Sequence, residues 1–236
     1  MISVIDMELS RYSKITKKFP REIVLLKSKP CAWGLCSFCD YISDNEEDIS
    51  YINDFNKEVL SSVSGQFKSL EVINSGNVFE LPLETLKMIK EIVVNKGITK
   101  LFFEAHWMYK NRLSEIRDFF NIPIIFKTGL ESFDNVFREN ILIKGFDFKE
   151  PKEVVKYFDS VCLMVGIKGQ SKEMIKKDIE LALKYFNHFT VNIFCNNSTK
   201  IKADEELIRW FKEEYQWLAD EDKCEILLEI TDFGVG

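Results

Sequence analysis

The chain has 236 residues, of which 46% are hydrophobic and 30% charged, and its formal net charge is −6. This length is enough for one sizeable hydrophobic core in a single domain. The acidic balance argues against a large phosphate-binding surface, and therefore against a general nucleic-acid-binding protein. The N-terminal segment lacks the pattern of a secretory signal, and no apolar run approaches about 18 residues. We therefore expect a cytoplasmic protein without a membrane span.

Short β-branched apolar runs alternate with amphipathic helical stretches along the chain. The predicted strands cover residues 21–28, 70–76, 100–106, 123–131, 160–169, 188–195 and 224–236. The predicted helices cover residues 55–69, 81–97, 113–120, 172–186 and 204–218, after an expected N-terminal helical extension at 1–20. Such alternation predicts a parallel sheet with helical crossovers, because each crossover returns the chain to the same end of the sheet. We predict one α/β domain over residues 1–236, as a doubly wound sheet or an incomplete barrel.

Half of the six cysteines lie within nine residues, in the segment SKPCAWGLCSFCDY at 28–41. This loop follows the first predicted strand, at the edge where parallel α/β folds bind ligands. In a reducing compartment, clustered cysteines are more often metal-binding or catalytic than disulfide-bonded. The distant cysteines stand alone, mostly in apolar strands, where a free cysteine behaves as a small buried hydrophobe; they are Cys162, Cys195 and Cys224.

Three interpretations of the cysteine loop compete. A structural zinc site needs four ligands, commonly in CxxC-like pairs, and only Cys36 and Cys39 form such a pair. A plant-type [2Fe–2S] ferredoxin has the same CxxxxCxxC spacing, but its fourth cysteine has no counterpart close by. The third interpretation is an open iron–sulfur cluster with three thiolate ligands, which leaves one iron free to bind a small molecule.

An open cluster is the arrangement of radical S-adenosylmethionine (SAM) enzymes, and the chain resembles that superfamily. Its first cysteine interval is one residue longer than the usual CxxxCxxC, and Phe38 matches the aromatic residue expected near the adenine of SAM. The resemblance implies a partial (β/α)6 TIM-like barrel and a [4Fe–4S] cluster held by Cys31, Cys36 and Cys39. It also implies SAM as cofactor and an external electron donor of the flavodoxin or ferredoxin type. Reductive cleavage of SAM would give a 5′-deoxyadenosyl radical.

Three further segments resemble the superfamily in the expected order. NSGNVFE (74–80) stands where relatives have a Gly-Gly-Glu-like turn for the amino group of SAM, with the acidic residue displaced to Glu80. FKTGLESFDNVFREN (126–140) resembles the segment that reaches the ribose and methionyl groups, and VGIKGQSKE (165–173) resembles the GxIxGxxxE segment that approaches the adenine. Taken singly, each segment is also explained as an ordinary turn or as the start of a helix, without a role in binding SAM. The residues implied in SAM binding are Ser75, Gly76, Asn77, Lys127, Glu131, Gly166, Ile167 and Gly169.

Residues that act on the substrate are expected among polar and aromatic side chains near the strand ends on the side of the cysteine loop. The candidates for catalysis are Glu104 and His106, in the segment FFEAHW. The candidates for substrate contacts are Trp33, Asp40, Trp107, Asn192, Asn196 and Asp232. The structural alternatives are a solvent-facing or structural histidine and buried tryptophans, which are the commoner fates of these residue types.

The near absence of sequence beyond the core predicts a small-molecule substrate. Among such compact radical SAM enzymes, the size and the segment CAWGLCSFCD are most similar to the queuine lyases, which release 7-aminomethyl-7-deazaguanine from the nucleobase queuine. The alternatives are a tRNA-modifying enzyme, an activase of a glycyl-radical enzyme and a ferredoxin-like electron carrier. The net charge disfavours tRNA, although a basic N-terminal stretch, also interpretable as a solvated helix face, keeps it open; it contains Lys14, Lys17, Lys18 and Arg21.

Overall fold

A computed structural model describes residues 11–227 of the protein. Within this range eight strands form one sheet, in which every strand pairs with the next one along the chain. The strands are β1 (Tyr12–Ile15), β2 (Arg21–Leu26), β3 (Ser69–Asn74), β4 (Lys100–Glu104), β5 (Ile124–Glu131), β6 (Ser160–Val165), β7 (His188–Ile193) and β8 (Cys224–Leu227). β1 is antiparallel to β2, whereas all later neighbours are parallel.

One α-helix follows each strand from β2 to β7. The helices are α1 (Ile49–Ser61), α2 (Leu83–Lys96), α3 (Leu113–Phe120), α4 (Pro151–Val155), α5 (Lys172–Tyr185) and α6 (Glu205–Glu214). Because the strand order never reverses, the sheet is singly wound and curls into a half-barrel, whereas a doubly wound sheet requires a reversal. The prediction of a partial (β/α)6 barrel is confirmed. No helix in the described range is both long and apolar enough to cross a lipid bilayer.

Two predicted segments differ from the structure. Residues 12–15 form an antiparallel edge strand and not part of a helical extension, and the hydroxyl of Tyr12 fixes this strand by donating to Glu22 of β2 at 2.6 Å. Residues 1–10 of that prediction lie outside the described range. Helix α1 begins at Ile49 instead of residue 55, because the Asp48 carboxylate accepts the N–H groups of the first turn as an N-cap.

Buried charges tie the strands together inside the barrel, toward the amino-terminal ends. Arg21 of β2 donates to Glu71 of β3 at 2.5 Å and to both carboxylate oxygens of Glu225 of β8 at 2.8 and 2.9 Å. Lys127 of β5 donates to the other oxygen of Glu71 at 2.5 Å. The basic N-terminal stretch is therefore not a solvated helix face, since Arg21 is buried and the Lys18 ammonium is bound by three backbone carbonyls near β8.

Asp178 of α5 gives a prediction about stability and pH. Its carboxyl group is buried and accepts the Phe133 N–H at 2.7 Å; burial raises its pKa to about 7, and the hydrogen bonds from Ser132 and Phe133 oppose this rise only in part. The folded state therefore holds a proton that the unfolded state releases above its ordinary pKa of 3.8, so stability falls as the pH rises toward 7. Asn at this position accepts the same hydrogen bond without ionising.

Accordingly, Asp178→Asn should gain stability relative to the wild type between pH 5 and pH 8, by at most about 3 kcal/mol. Urea unfolding at the two pH values measures this difference. Asp54→Asn, at an exposed position of α1, is the control and should show no such trend. Equal behaviour of the two variants would contradict the prediction.

Candidate active site

A cavity of about 230 Å³ lies at the carboxyl ends of β2, β3, β4 and β5. This is the edge at which parallel α/β barrels place their ligands. All three clustered cysteines line the cavity, together with residues at the ends of β3, β4 and β5 and with Cys162 of β6. Its lining comprises Cys31, Trp33, Gly34, Cys36, Phe38, Cys39, Tyr41, Ile42, Ile73, Asn74, Ser75, Gly76, Asn77, Glu104, Ala105, His106, Gly129, Glu131, Lys144 and Cys162.

The cysteine loop is held in place from both sides. Ser37 donates its backbone N–H and its hydroxyl to the carbonyls of residues 142 and 141, at 3.1 and 2.5 Å. On the other side, Asn197 after β7 donates to the carbonyl of Phe38 at 2.9 Å. Gly34 adopts φ +59°, a conformation that favours glycine, in the longer interval between the first two cysteines. The loop therefore presents its thiols on a fixed backbone.

The three thiols border the cavity without converging on one point. Within residues 11–227, no three Cys, His, Asp or Glu side chains are placed to hold a single metal ion. In an iron–sulfur cube each thiolate binds its own iron, so three separated thiols on one cavity wall fit such a cluster. Burial raises the pKa of Cys36 to about 11, opposed by the nearby Lys144 ammonium, and burial likewise raises the pKa of Cys39. Binding to iron would displace these protons.

Buried polar atoms on the same wall lack partners among the described residues. They are the Asn74 Oδ1, Asn77 Nδ2 and Glu131 Oε2 atoms. An unpaired buried polar atom costs about 1–3 kcal/mol, so these atoms fit a polar ligand that pairs with them. The neighbouring Ser75 hydroxyl is 3.1 Å from that of Ser28, and both are buried.

The turn at 74–80 is built by its own side chains. Glu80 accepts the Asn77 N–H at 2.8 Å, and Asn77 Oδ1 accepts the N–H of Phe79 at 3.2 Å, which forms a capping box. The other Glu80 oxygen accepts the Tyr109 hydroxyl at 2.9 Å. The displaced acidic residue therefore stabilises the turn, while Gly76 leaves room for it, since a Cβ there would lie 3.1 Å from a Glu80 oxygen.

Glu131 and Lys144 form a buried ion pair on the cavity wall, at an N–O distance of 3.1 Å. Burial would lower the pKa of Lys144, but the charge of Glu131 keeps it above its ordinary value. Glu131 has φ +65°, and Ile143, the β-branched residue that precedes Lys144, has φ +56°. Such strained conformations cluster at functional sites, where the surrounding structure enforces them.

Both ring nitrogens of His106 form hydrogen bonds. Its Nδ1 atom accepts the Met108 N–H at 3.3 Å, so Nε2–H donates to the carbonyl of Lys144 at 2.7 Å. Burial lowers its pKa to about 4, helped by the Lys144 charge, so the ring is neutral near pH 7. Trp33 stacks on this ring with centroids 5.2 Å apart. In this arrangement His106 positions Trp33 and has no free nitrogen to act as a base.

Several predicted substrate residues lie away from the cavity lining. Trp107 is buried in an aromatic cluster with Phe146, because its indole packs inward from the end of β4. The Asp40 carboxylate accepts the Ser198 hydroxyl. Asn196 accepts a backbone N–H at 2.9 Å within its own loop, and Asn192 is buried in β7. Asp232 lies outside the described residues.

Part of the predicted SAM set also lies elsewhere. The Lys127 ammonium donates a hydrogen bond to Glu71 below the cavity. Gly166 has φ +95°, and a Cβ there would lie 2.2 Å from Ile208, so this glycine permits close packing of α6. Ile167 is fully buried, and a Cβ at Gly169, which has φ +100°, would lie 3.8 Å from Phe137. Of that set, Phe38, Glu131 and the 75–77 turn do line the cavity.

Sequence reasoning missed four cavity-lining residues whose side chains carry a polar group or a thiol. They are Tyr41, Asn74, Lys144 and Cys162. A lysine inside the apolar run ILIKGF was the available signal for Lys144, because a charge in such a run needs a buried partner. Cys162 had been interpreted as a buried hydrophobe, but its thiol faces a polar wall, 3.7 Å from a Glu104 oxygen.

Comparison with solved structures gives a match over almost the whole chain. A structure of a queuine lyase from Clostridium spiroforme bound to SAM and queuine is 54% identical, with a TM-score of 0.92. The match covers 96% of this chain and 98% of that one. No family model matches the chain, and no curated protein matches it.

Proposed function

Since this chain belongs to the queuine lyase family of radical SAM enzymes, we propose that it cleaves queuine and releases 7-aminomethyl-7-deazaguanine. Its cofactors in this proposal are a [4Fe–4S] cluster and SAM. The observation that carries it is the shared cavity, which is lined by the three clustered cysteines and by three polar residues that each have an unpaired buried atom. The chemistry that these cofactors supply when bound is the reductive formation of a 5′-deoxyadenosyl radical, which removes a hydrogen atom from the substrate.

The residues of the cavity wall divide into two groups by their chemistry. Cys31, Cys36 and Cys39 would hold three irons and leave the fourth to SAM. The polar wall around Asn77 would receive the amino acid part of SAM, and Glu131 offers one unpaired oxygen to a hydroxyl or ammonium group. Phe38 is buried beside them and would pack near the adenine. These assignments rest on where the side chains lie.

The proposal includes three features of the cellular setting. The electron donor is a protein of the flavodoxin or ferredoxin type, as for radical SAM enzymes in general. The location is cytoplasmic, which agrees with six free cysteines, since free thiols persist in reducing compartments. The role is salvage of queuine, because the released base retains the deazaguanine ring.

The test is a product assay with the anaerobically reconstituted protein. Incubation with SAM, a strong reductant and queuine should yield 7-aminomethyl-7-deazaguanine and 5′-deoxyadenosine, both measured by mass spectrometry. Omission of reductant or of SAM should abolish both products. Cleavage of SAM without release of the base would remove the lyase proposal, and release only from queuosine-containing tRNA would favour the tRNA-modifying alternative.

A further inference from the structure

We infer that Glu104 is the residue that selects a guanine-type base, by accepting both N–H groups of its Watson–Crick edge with one carboxylate. This inference rests on the proposed function and specifies which part of the cavity holds the base. A deazaguanine presents two parallel donors on that edge, N1–H and the exocyclic amine. A carboxylate with both oxygens free is the side chain that matches two parallel donors.

Within the described residues, only two carboxylates line the cavity, and they differ in what they can still bind. Glu131 is 2% exposed and has one oxygen on the Lys144 ammonium, so a single oxygen remains for a ligand. Glu104 ends β4, and 28% of its side chain is accessible. The base edge with its two N–H donors therefore fits the carboxylate of Glu104 and not that of Glu131.

The contacts of Glu104 among the described residues are long. Its Oε1 atom accepts a thiol hydrogen bond from Cys162 at 3.7 Å and pairs with the Lys127 ammonium at 3.9 Å. Both distances exceed that of an ordinary N–H···O or O–H···O hydrogen bond. The carboxylate therefore has no strong bond that a ligand would have to break.

The Lys127 ammonium lies behind this carboxylate and cannot turn toward a ligand, because Glu71 binds it at 2.5 Å. Glu71 is fixed in turn by Arg21 at 2.5 Å. The Glu104 carboxylate lies 3.9 Å from this fixed cation. The floor of the cavity thus offers an acceptor whose neighbour on the inner side is held in place.

The test compares two ligands on the reconstituted, SAM-loaded enzyme without reductant, so that binding is measured without turnover. The ligands are queuine and its analogue lacking the exocyclic amine, and isothermal titration calorimetry gives each Kd. An acceptor left unpaired costs about 1–3 kcal/mol, so the wild type should prefer queuine by about 10- to 100-fold. In Glu104→Gln the side-chain amide meets the donors of the base, and the preference should fall below about threefold.

Glu91→Gln, at an exposed position of α2, is the matched control and should keep the full preference. Unchanged iron content and SAM affinity in Glu104→Gln would show that this variant is folded. A wild type that binds queuine without discrimination, or a Glu104→Gln variant that discriminates as the wild type does, would overturn the assignment and leave the proposed function standing. A wild type that binds neither base would remove both.

Discussion

Replacement of Cys31, Cys36 or Cys39 by Ala is expected to abolish iron binding and base release together. The three thiols line one cavity, and an open cluster has no spare protein ligand to replace a lost one. The expected loss is complete, because the iron that binds SAM exists only within an assembled cluster. Iron and sulfide analysis after anaerobic reconstitution measures the first effect, and the product assay measures the second.

The distant cysteines supply the control for this experiment. Cys195 is half-buried after β7, and Cys224 is buried at the start of β8; neither lines the cavity. Their Ala variants should retain iron at the wild-type level. A cluster that requires either of them, or one zinc per chain in place of iron, would contradict the open-cluster assignment.

Arg21→Met should destabilise the fold by about 3–5 kcal/mol, since it removes the arginine partner of buried Glu225 and leaves Glu71 with Lys127 alone. Arg21 binds Glu71 of β3 and both oxygens of Glu225 of β8, and all three side chains are at most 6% exposed. Its removal leaves Glu225 with only His188 as a side-chain partner among the described residues. For a chain of this size the melting temperature should fall by about 10 °C, as measured by circular dichroism.

A surface ion pair is the comparison for the Arg21 variant. Lys87 pairs with Glu84 at 3.3 Å, and both side chains are more than half exposed. Lys87→Met should change stability by less than about 1 kcal/mol, because water screens such pairs. If the two variants lost similar stability, the buried network would not be what holds β2, β3 and β8 together.

The fold was predictable because its signals are local. Each strand from β2 to β8 is an apolar run, and parallel pairing follows from the helices between the runs. The ends of elements were less predictable. The start of α1 depends on the Asp48 cap, and β1 is a strand because it pairs with the edge of β2. Neither cause is visible in hydrophobic periodicity.

The residues of the candidate site were likewise predictable only in part. Contiguous motifs were located correctly: the cysteine loop and the 75–77 turn line the cavity. Residues chosen by their place near a strand end were located only in part, because the direction of a side chain depends on its packing partners. Glu104 and His106 line the cavity, whereas Trp107 turned inward to Phe146. Lys144 was missed because its partner Glu131 lies on another segment.

Four consecutive carbonyls, those of residues 141 to 144, accept hydrogen bonds from outside their own segment. Ser37 binds the first two, the Trp33 indole binds the third at 2.8 Å, and His106 binds the fourth. Hydrogen bonds therefore join the iron-binding loop to the segment that carries Lys144 at successive residues. Neither segment can shift without breaking them. Any order that a bound cluster imposes on the cysteine loop would therefore extend, through these hydrogen bonds, to the backbone that carries Lys144.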